Sequence, residues 1–379
     1  MYIAKSGLYF FFTYLVLMIL YRFIMPFGDE PDFSVRTKEI FDSDFHILYP
    51  YQVYNLLYSF VGINSICSVD SKPLSLIANI NSKLCIQDAK QVMLRTLLST
   101  LSLIPVLLFI LFRRKIYSGT SFDLRSDTVA ITLLLPSSIY YIGLLSVEHV
   151  FVITSFIVFL FWRGNRFVLV VTFAACYLID IGNFIVLLLF TLYYLSLKQL
   201  KNSIGSKYLY VAIASVLVAY VVGYNLVSVL SSVPVIGDRA ELILKSYETH
   251  LSLNKYPIIL RPIITFMSFV FYSADNIKAP LSYILVSFYF LKTYINARRK
   301  RITITSDDYE NTLFVIITGT LFILTLVFIL PTYANAKYFM FLLPFYVHFF
   351  IVVNGLKKTY YAIVFLALIT YFQIFVGYL

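Results

Sequence analysis

Apolar runs of membrane-crossing character repeat along the whole chain, and short polar segments separate them. The first run covers residues 8–25, the next 91–112, and others follow at 129–145, 150–162, 167–179, 184–197 and 208–230. Beyond residue 260 come the runs 262–272, 281–295, 311–330, 338–353 and 359–378. Runs of this length without strand-like alternation predict helices, and their number predicts an all-α polytopic membrane protein. Several are only about 13 to 17 residues long, where a straight crossing needs about 20, so they are tilted or border a cavity.

The basic residues punctuate this pattern. Arg113-Arg114-Lys115, Arg163 with Arg166, and Lys198, Lys201 and Lys207 each close an apolar run. Arg298-Arg299-Lys300-Arg301 and Lys357-Lys358 close two more. Basic stops mark the cytoplasmic ends of spans. Alternation from stop to stop puts the N-terminus inside and the C-terminus outside, with about 11 spans in all. Parity lets only one of the runs 262–272 and 281–295 cross, and 281–295 is the choice; 262–272 then dips into the membrane or lies at its surface.

Composition agrees. Of 379 residues, 60% are hydrophobic and 13% charged; mean hydropathy is +0.84. A soluble domain carries roughly 25% charged residues. The net charge of +11 comes from the basic stops, so it reflects topology and gives no reason to expect nucleic acid. The chain is read as one transmembrane domain, 1–379, with a first external loop at 27–90 and a second at 231–280 that includes the dipping helix. Residues 41–61 are aromatic and partly amphipathic, which predicts helices lying in the interface. The first run shows no small-residue cleavage site, so a cleavable signal peptide is not expected.

Candidate chemistry concentrates on the outer side. Asp29, Glu30 and Asp32 follow the first run directly, with Gly28 giving the turn its freedom and Pro26 and Pro31 stiffening it. Arg22 lies one helical turn before the exit. A carboxylate can take a proton from a hydroxyl acceptor, and arginine can hold a phosphate leaving group. The other reading of these acids is the polar end of a helix. Glu148 and His149 stand at an outer helix end, either as site residues or as partners of a basic residue. Asp180 lies in an Asp-Ile-Gly-Asn turn, which an ordinary Asp/Gly turn also explains.

The second loop carries Arg239, Lys245, Tyr247, His250, Lys255 and Arg261. A basic outer loop runs against the usual charge asymmetry, so phosphate binding is one reading and pairing with Asp238, Glu241 and Glu248 the other. Lys337 and Tyr338 could reach the same cavity, and Lys337 could equally snorkel. Lys292 is read as snorkelling to the cytoplasm. Cys67 and Cys85 share the first loop and either pair or stay as small buried residues. No CxxC, HExxH or His cluster occurs in the sequence, so no metal site and no cofactor are expected.

The layout resembles the GT-C class of membrane glycosyltransferases. An acidic residue just after the first span, interfacial helices in the first loop, the segment 136–148 ending in Glu148, and the Lys-Tyr-Phe-Met-Phe-Leu-Leu-Pro segment at 337–344 carry the resemblance. The second loop, with its Arg239 to Tyr247 segment, is similar to that of bacterial Wzy-type polymerases of O-antigen and capsule repeat units. What the resemblance implies is a GT-C-like bundle in the bacterial inner membrane with a periplasmic active site. Donor and acceptor would be undecaprenyl-linked glycans, with a chain-length regulator as a further partner. Asp29 would act as base and Arg22, Arg239 and Arg261 would hold the phosphate. A transferase adding a single sugar and a lipid-linked oligosaccharide flippase are the alternatives; the absence of an internal repeat argues against the flippase.

Overall fold

The computed structural model describes residues 2–24, 120–143, 147–162, 164–230, 260–271, 280–300, 307–329 and 336–378. Among these residues every regular element is helical and none is a strand. In chain order the helices are α1 (Tyr2–Ile24), α2 (Thr120–Thr132), α3 (Pro136–Gly143), α4 (Val147–Phe161), α5 (Arg166–Ile179) and α6 (Ile181–Ile204). Then come α7 (Tyr208–Leu230), α8 (Arg261–Phe271), α9 (Pro280–Lys300), α10 (Asp307–Ile329), α11 (Leu343–Asn354) and α12 (Leu356–Tyr378). A 3-10 segment, Ala336–Leu342, leads into α11.

Local chemistry sets several boundaries. Asn165 caps α5 by accepting from the Phe167 N–H, and Asp180 caps α6 by accepting from the Gly182 N–H. Gly205 at φ 60° ends α6 and Gly355 at φ 90° ends α11; both angles favour glycine. The run 129–145 is not one helix, as its uniform hydropathy suggests. It breaks at Leu133–Leu135 ahead of Pro136, whose ring cannot continue the preceding helix.

Ring and hydrogen-bond contacts fix the directions of the helices. Tyr194 and Phe190 of α6 meet Phe314 and Phe322 of α10, so these two helices run antiparallel. Tyr208 and Tyr220 of α7 meet Phe314 and Phe328, so α7 runs parallel to α10. The apolar stretch Gly182–Gly223, 42 residues long, is therefore a hairpin that reverses at Gly205–Lys207. As a single rod it would measure about 63 Å, twice the roughly 30 Å hydrocarbon thickness.

The same reasoning extends across the bundle. Tyr309, Thr320 and Phe322 of α10 meet Phe349, Tyr346 and Phe339, so α10 and the 3-10/α11 rod are antiparallel. Phe290 and Asn296 of α9 meet Tyr346 and Asn354 in parallel. Ser282 and Tyr289 of α9 meet Thr370 and Thr359 of α12, antiparallel. Thr13 and Tyr21 of α1 follow Tyr360 and Ala367 of α12, parallel.

One end of the bundle therefore holds the C-terminal ends of α1, α7, α10 and α12 together with Glu148, Asp180 and Lys337. The opposite end gathers Arg166, Lys198, Lys201, Lys207, Arg298, Arg299, Lys357 and Lys358, all exposed. These exposed basic side chains collect at one end, whereas Lys337 is at the other.

The surface between the two ends is apolar. Phe167, Tyr210, Leu217, Val221, Phe288 and Phe372 are each more than 60% exposed or close to it. Ser, Thr, Asn and His side chains sit inside instead, among them Thr128 bonded to His348 and the Asn296–Asn354–Thr293 chain. An apolar outside around a hydrogen-bonded polar inside suits a lipid solvent. Three stretches of described residues are long and apolar enough to cross a membrane, namely the Gly182–Gly223 hairpin, Tyr309–Ile329 and Lys337–Asn354.

Candidate functional site

Three elements that are distant in sequence bring charged groups together at the end opposite the basic one. α4 begins with Glu148 and His149, the α5–α6 turn supplies Asp180, and the 3-10 segment supplies Lys337 and Tyr338. Lys337 Nζ donates to Glu148 Oε1 at 2.5 Å. Glu148 is 3% exposed, so the carboxylate is almost wholly out of water, while the lysine keeps part of its surface in solvent. The Lys337 ammonium also lies 5.6 Å from the centre of the Tyr338 ring, within cation–π range.

Asp180 is held by its own turn. Its Oδ1 accepts from the Gly182 N–H and its Oδ2 from Asn183 Nδ2, both at 2.8 Å. Burial pushes its carboxyl above the usual range, and the Glu148 carboxylate pushes the same way; the Gly182 and Asn183 hydrogen bonds and Lys337 oppose them. Gly182 lets the Tyr338 ring come close, since a Cβ there would stand 3.5 Å from Tyr338 Cε1 and 3.2 Å from Asp180 Oδ1. Asn183 is fully buried, and its Oδ1 has no hydrogen-bond partner among the described residues.

His149 has a structural task. Its Nδ1 lies 2.6 Å from the Ile142 carbonyl, and a carbonyl can only accept, so Nδ1 carries the proton. The bond ties the end of α3 to the start of α4 and orients Glu148 inward. Arg261 opens α8, is 5% exposed, and precedes Pro262 in the first turn. α8 packs against α3, α10 and the 3-10 segment.

The arrangement has a definite electrostatic character. Glu148 is paired with Lys337, and the Asp180 carboxyl beside them is pushed toward its neutral form by burial and by the Glu148 charge. Such a site offers hydrogen-bonding groups to hydroxyls, and its lysine is already engaged by Glu148. Phosphate would have to be held by other cations.

Glu148, His149, Lys337 and Tyr338, read separately from the sequence, are thus placed at one end with Asp180. Arg22 belongs to the last turn of α1, and α1 ends at that same end. Asp29, Glu30, Asp32, Arg239, Lys245, Tyr247, His250 and Lys255 lie outside the described residues, as do Cys67 and Cys85. Among the described residues no group of three or more His, Cys, Asp or Glu is placed to hold a metal ion. His348, 1% exposed and bonded to Thr128 at 2.9 Å, was not singled out in the sequence, where it sits in a continuous apolar run.

No family model, curated protein or solved structure matches this chain.

Proposed function

We propose that the chain is a polytopic glycosyltransferase that works at the end of the bundle opposite its basic stops, with a GT-C-like arrangement of about 11 spans. The reaction is polymerisation of polyprenyl-pyrophosphate-linked repeat units of a bacterial surface glycan. The observation that carries the reading is the common end shared by α1 and the Glu148–Lys337–Asp180 cluster. Asp29 follows the end of α1 by five residues, a reach of at most about 18 Å.

The chemistry divides between the acidic stretch and the buried cluster. The acceptor hydroxyl gives its proton to Asp29 as its oxygen attacks the anomeric carbon. The bond from that carbon to the pyrophosphate oxygen breaks, and the electron pair leaves with the phosphate. Arg22, Arg239 and Arg261 hold that charge, and the configuration at carbon inverts. Glu30 and Asp32 follow the base in the chain and complete the acidic stretch. The buried Glu148–Lys337–Asp180 cluster offers hydrogen-bonding groups to glycan hydroxyls. With the basic stops on the cytoplasmic side, the opposite end is periplasmic in the bacterial inner membrane, where a chain-length regulator would also meet the product.

Surface-glycan length on a gel tests the reading, in a host lacking the gene and complemented at matched membrane expression. Wild type is expected to restore a ladder and Asp29→Asn to leave a single repeat unit. A full ladder from Asp29→Asn removes Asp29 as the base. A wild type that adds one sugar without a ladder selects single-sugar transfer, and loss of all externally exposed lipid-linked units without the gene selects a flippase.

A further inference from the structure

A second amphiphilic site lies on the other half of the molecule. α9, α11 and α12 enclose an apolar cleft of about 120 Å³, lined on the two outer helices by Leu285, Phe288, Ala362 and Phe365. Phe288 is 62% and Phe365 55% exposed, so both stand at a mouth that opens sideways into the apolar surface. α9 and α12 each carry the stripe onward toward the basic end. Leu285, Phe288, Lys292 and Arg299 follow helical spacing on α9, and Phe365, Ala362 and Lys358 do so on α12. Lys292, Arg299 and Lys358 are all exposed. Just beyond Lys292, α9 is clasped to the end of α11 by polar bonds, Asn296 Nδ2 to Asn354 Oδ1 at 2.9 Å and Asn354 Nδ2 to Thr293 Oγ1 at 2.7 Å.

We propose that this cleft and its basic stripe bind one anionic phospholipid, with an acyl chain between Phe288 and Phe365 and the headgroup phosphate against Lys292 and Lys358. The spacing fits. Lys292 stands four residues from Phe288 and Lys358 four from Ala362, about 6 Å along each axis, which sets the phosphate one helical turn from the entry of the acyl chain. Charge selects the headgroup, because Lys292 and Lys358 stand at one level of the bundle, as the Tyr289–Thr359 bond between their helices sets it, and a zwitterionic lipid offers them no net charge. Lys292 supports the same occupant. It stands one turn from Phe288 on a lipid-facing stripe, where a charge is costly unless it snorkels to the interface or meets an anion. The site is remote from the Glu148–Lys337 end and does not depend on the function proposed above.

Native mass spectrometry of the full chain, delipidated in detergent and titrated with phosphatidylglycerol or with phosphatidylcholine of the same acyl chains, tests the site. Phosphatidylglycerol is expected to bind first and to saturate one tight position. Removing two cations in Lys292→Gln/Lys358→Gln should weaken that position about 30-fold. Lys198→Gln/Lys207→Gln removes the same charge elsewhere on the basic end and should leave it within about twofold. Ala362→Phe fills the cleft and should weaken it several-fold. A phosphatidylglycerol with a photoreactive acyl chain, used on the wild type, should label Phe288 or Phe365. Equal binding of the two lipids, equal loss in both cation pairs, or labelling confined to other helices overturns the proposal. Free glycerol phosphate matching the lipid as a competitor would show a headgroup-only site and overturns the acyl-chain assignment.

Discussion

Lys337 reaches Glu148 across 189 positions of sequence and donates to it at a buried helix start. The lysine side chain is 19% and the glutamate 4% exposed. Breaking such a pair from one side leaves a charge without its counterion in a desolvated place. Glu148→Gln and Lys337→Met should each cost about 2–3 kcal/mol, below the full buried-pair range because the lysine keeps some water. The double variant should recover part of that loss. A double-mutant cycle on thermal unfolding in detergent measures the coupling, and simple additivity would remove the pair as a structural contact.

Asp180 should give the molecule a pH-dependent stability term of unusual sign for a carboxylate. Its folded pKa is raised, above the unfolded value of about 3.9. Between the two the folded state binds the extra proton, so this contribution is fully present below about pH 4 and is lost as pH rises through the folded pKa. Asp180→Asn should flatten that part of the profile. Melting temperature measured from acid to neutral pH in wild type and variant checks it, and parallel curves would show that the shift has no energetic consequence.

Two glycines should respond differently to a methyl group. A Cβ at Gly223 would stand 2.7 Å from the Phe328 carbonyl oxygen, which is backbone. One at Gly319 would meet the Leu342 side chain at 2.8 and 2.9 Å, and a leucine can turn. Gly223→Ala must push α7 off α10 and should cost about 1–3 kcal/mol, with Gly319→Ala at the low end of that range or below it. Thermal unfolding ranks the two. The reverse order would mean that the α7–α10 crossing relaxes more easily than the packing of Leu342.

The two ends of the bundle should label from opposite sides of the membrane. Cysteines in place of Asn165 or Ser206, both exposed at the basic end, should react with an impermeant maleimide only when the cytoplasmic face is opened. A reporter fused after Tyr378 should report the other side. Reaction of Asn165→Cys from outside intact cells would invert the molecule.

The legible part of the fold was the part written in local chemistry. Lys198, Lys201 and Lys207 interrupt a long apolar stretch, and the chain reverses there. The Asp180 turn and the basic end of α9 at Arg298 and Arg299 were likewise readable, because caps and charge clusters act over a few residues. The break before Pro136 was missed, since hydropathy stays high through Leu133–Leu135 and only the proline signals it. The 3-10 winding of Ala336–Leu342 had no local sign either. Glu148 was readable as an outer-end acid, with a basic partner as one option. That the partner is Lys337, and that Asp180 joins them, depends on three-dimensional packing that one sequence does not encode by spacing.

The winding of Ala336–Leu342 has a mechanical corollary. A 3-10 helix rises about 2.0 Å and turns 120° per residue, an α-helix about 1.5 Å and 100°. Over the five steps from Lys337 to Leu342, rewinding to α would draw the lysine inward by about 2.5 Å and swing it around the axis by roughly 100°. Phe339, Met340, Phe341 and Leu342 are each at most 1% exposed and would have to turn with it. The segment behaves as a screw whose pitch sets where the ammonium points, so a core substitution at Phe341 can relocate a charge at the membrane surface without touching it.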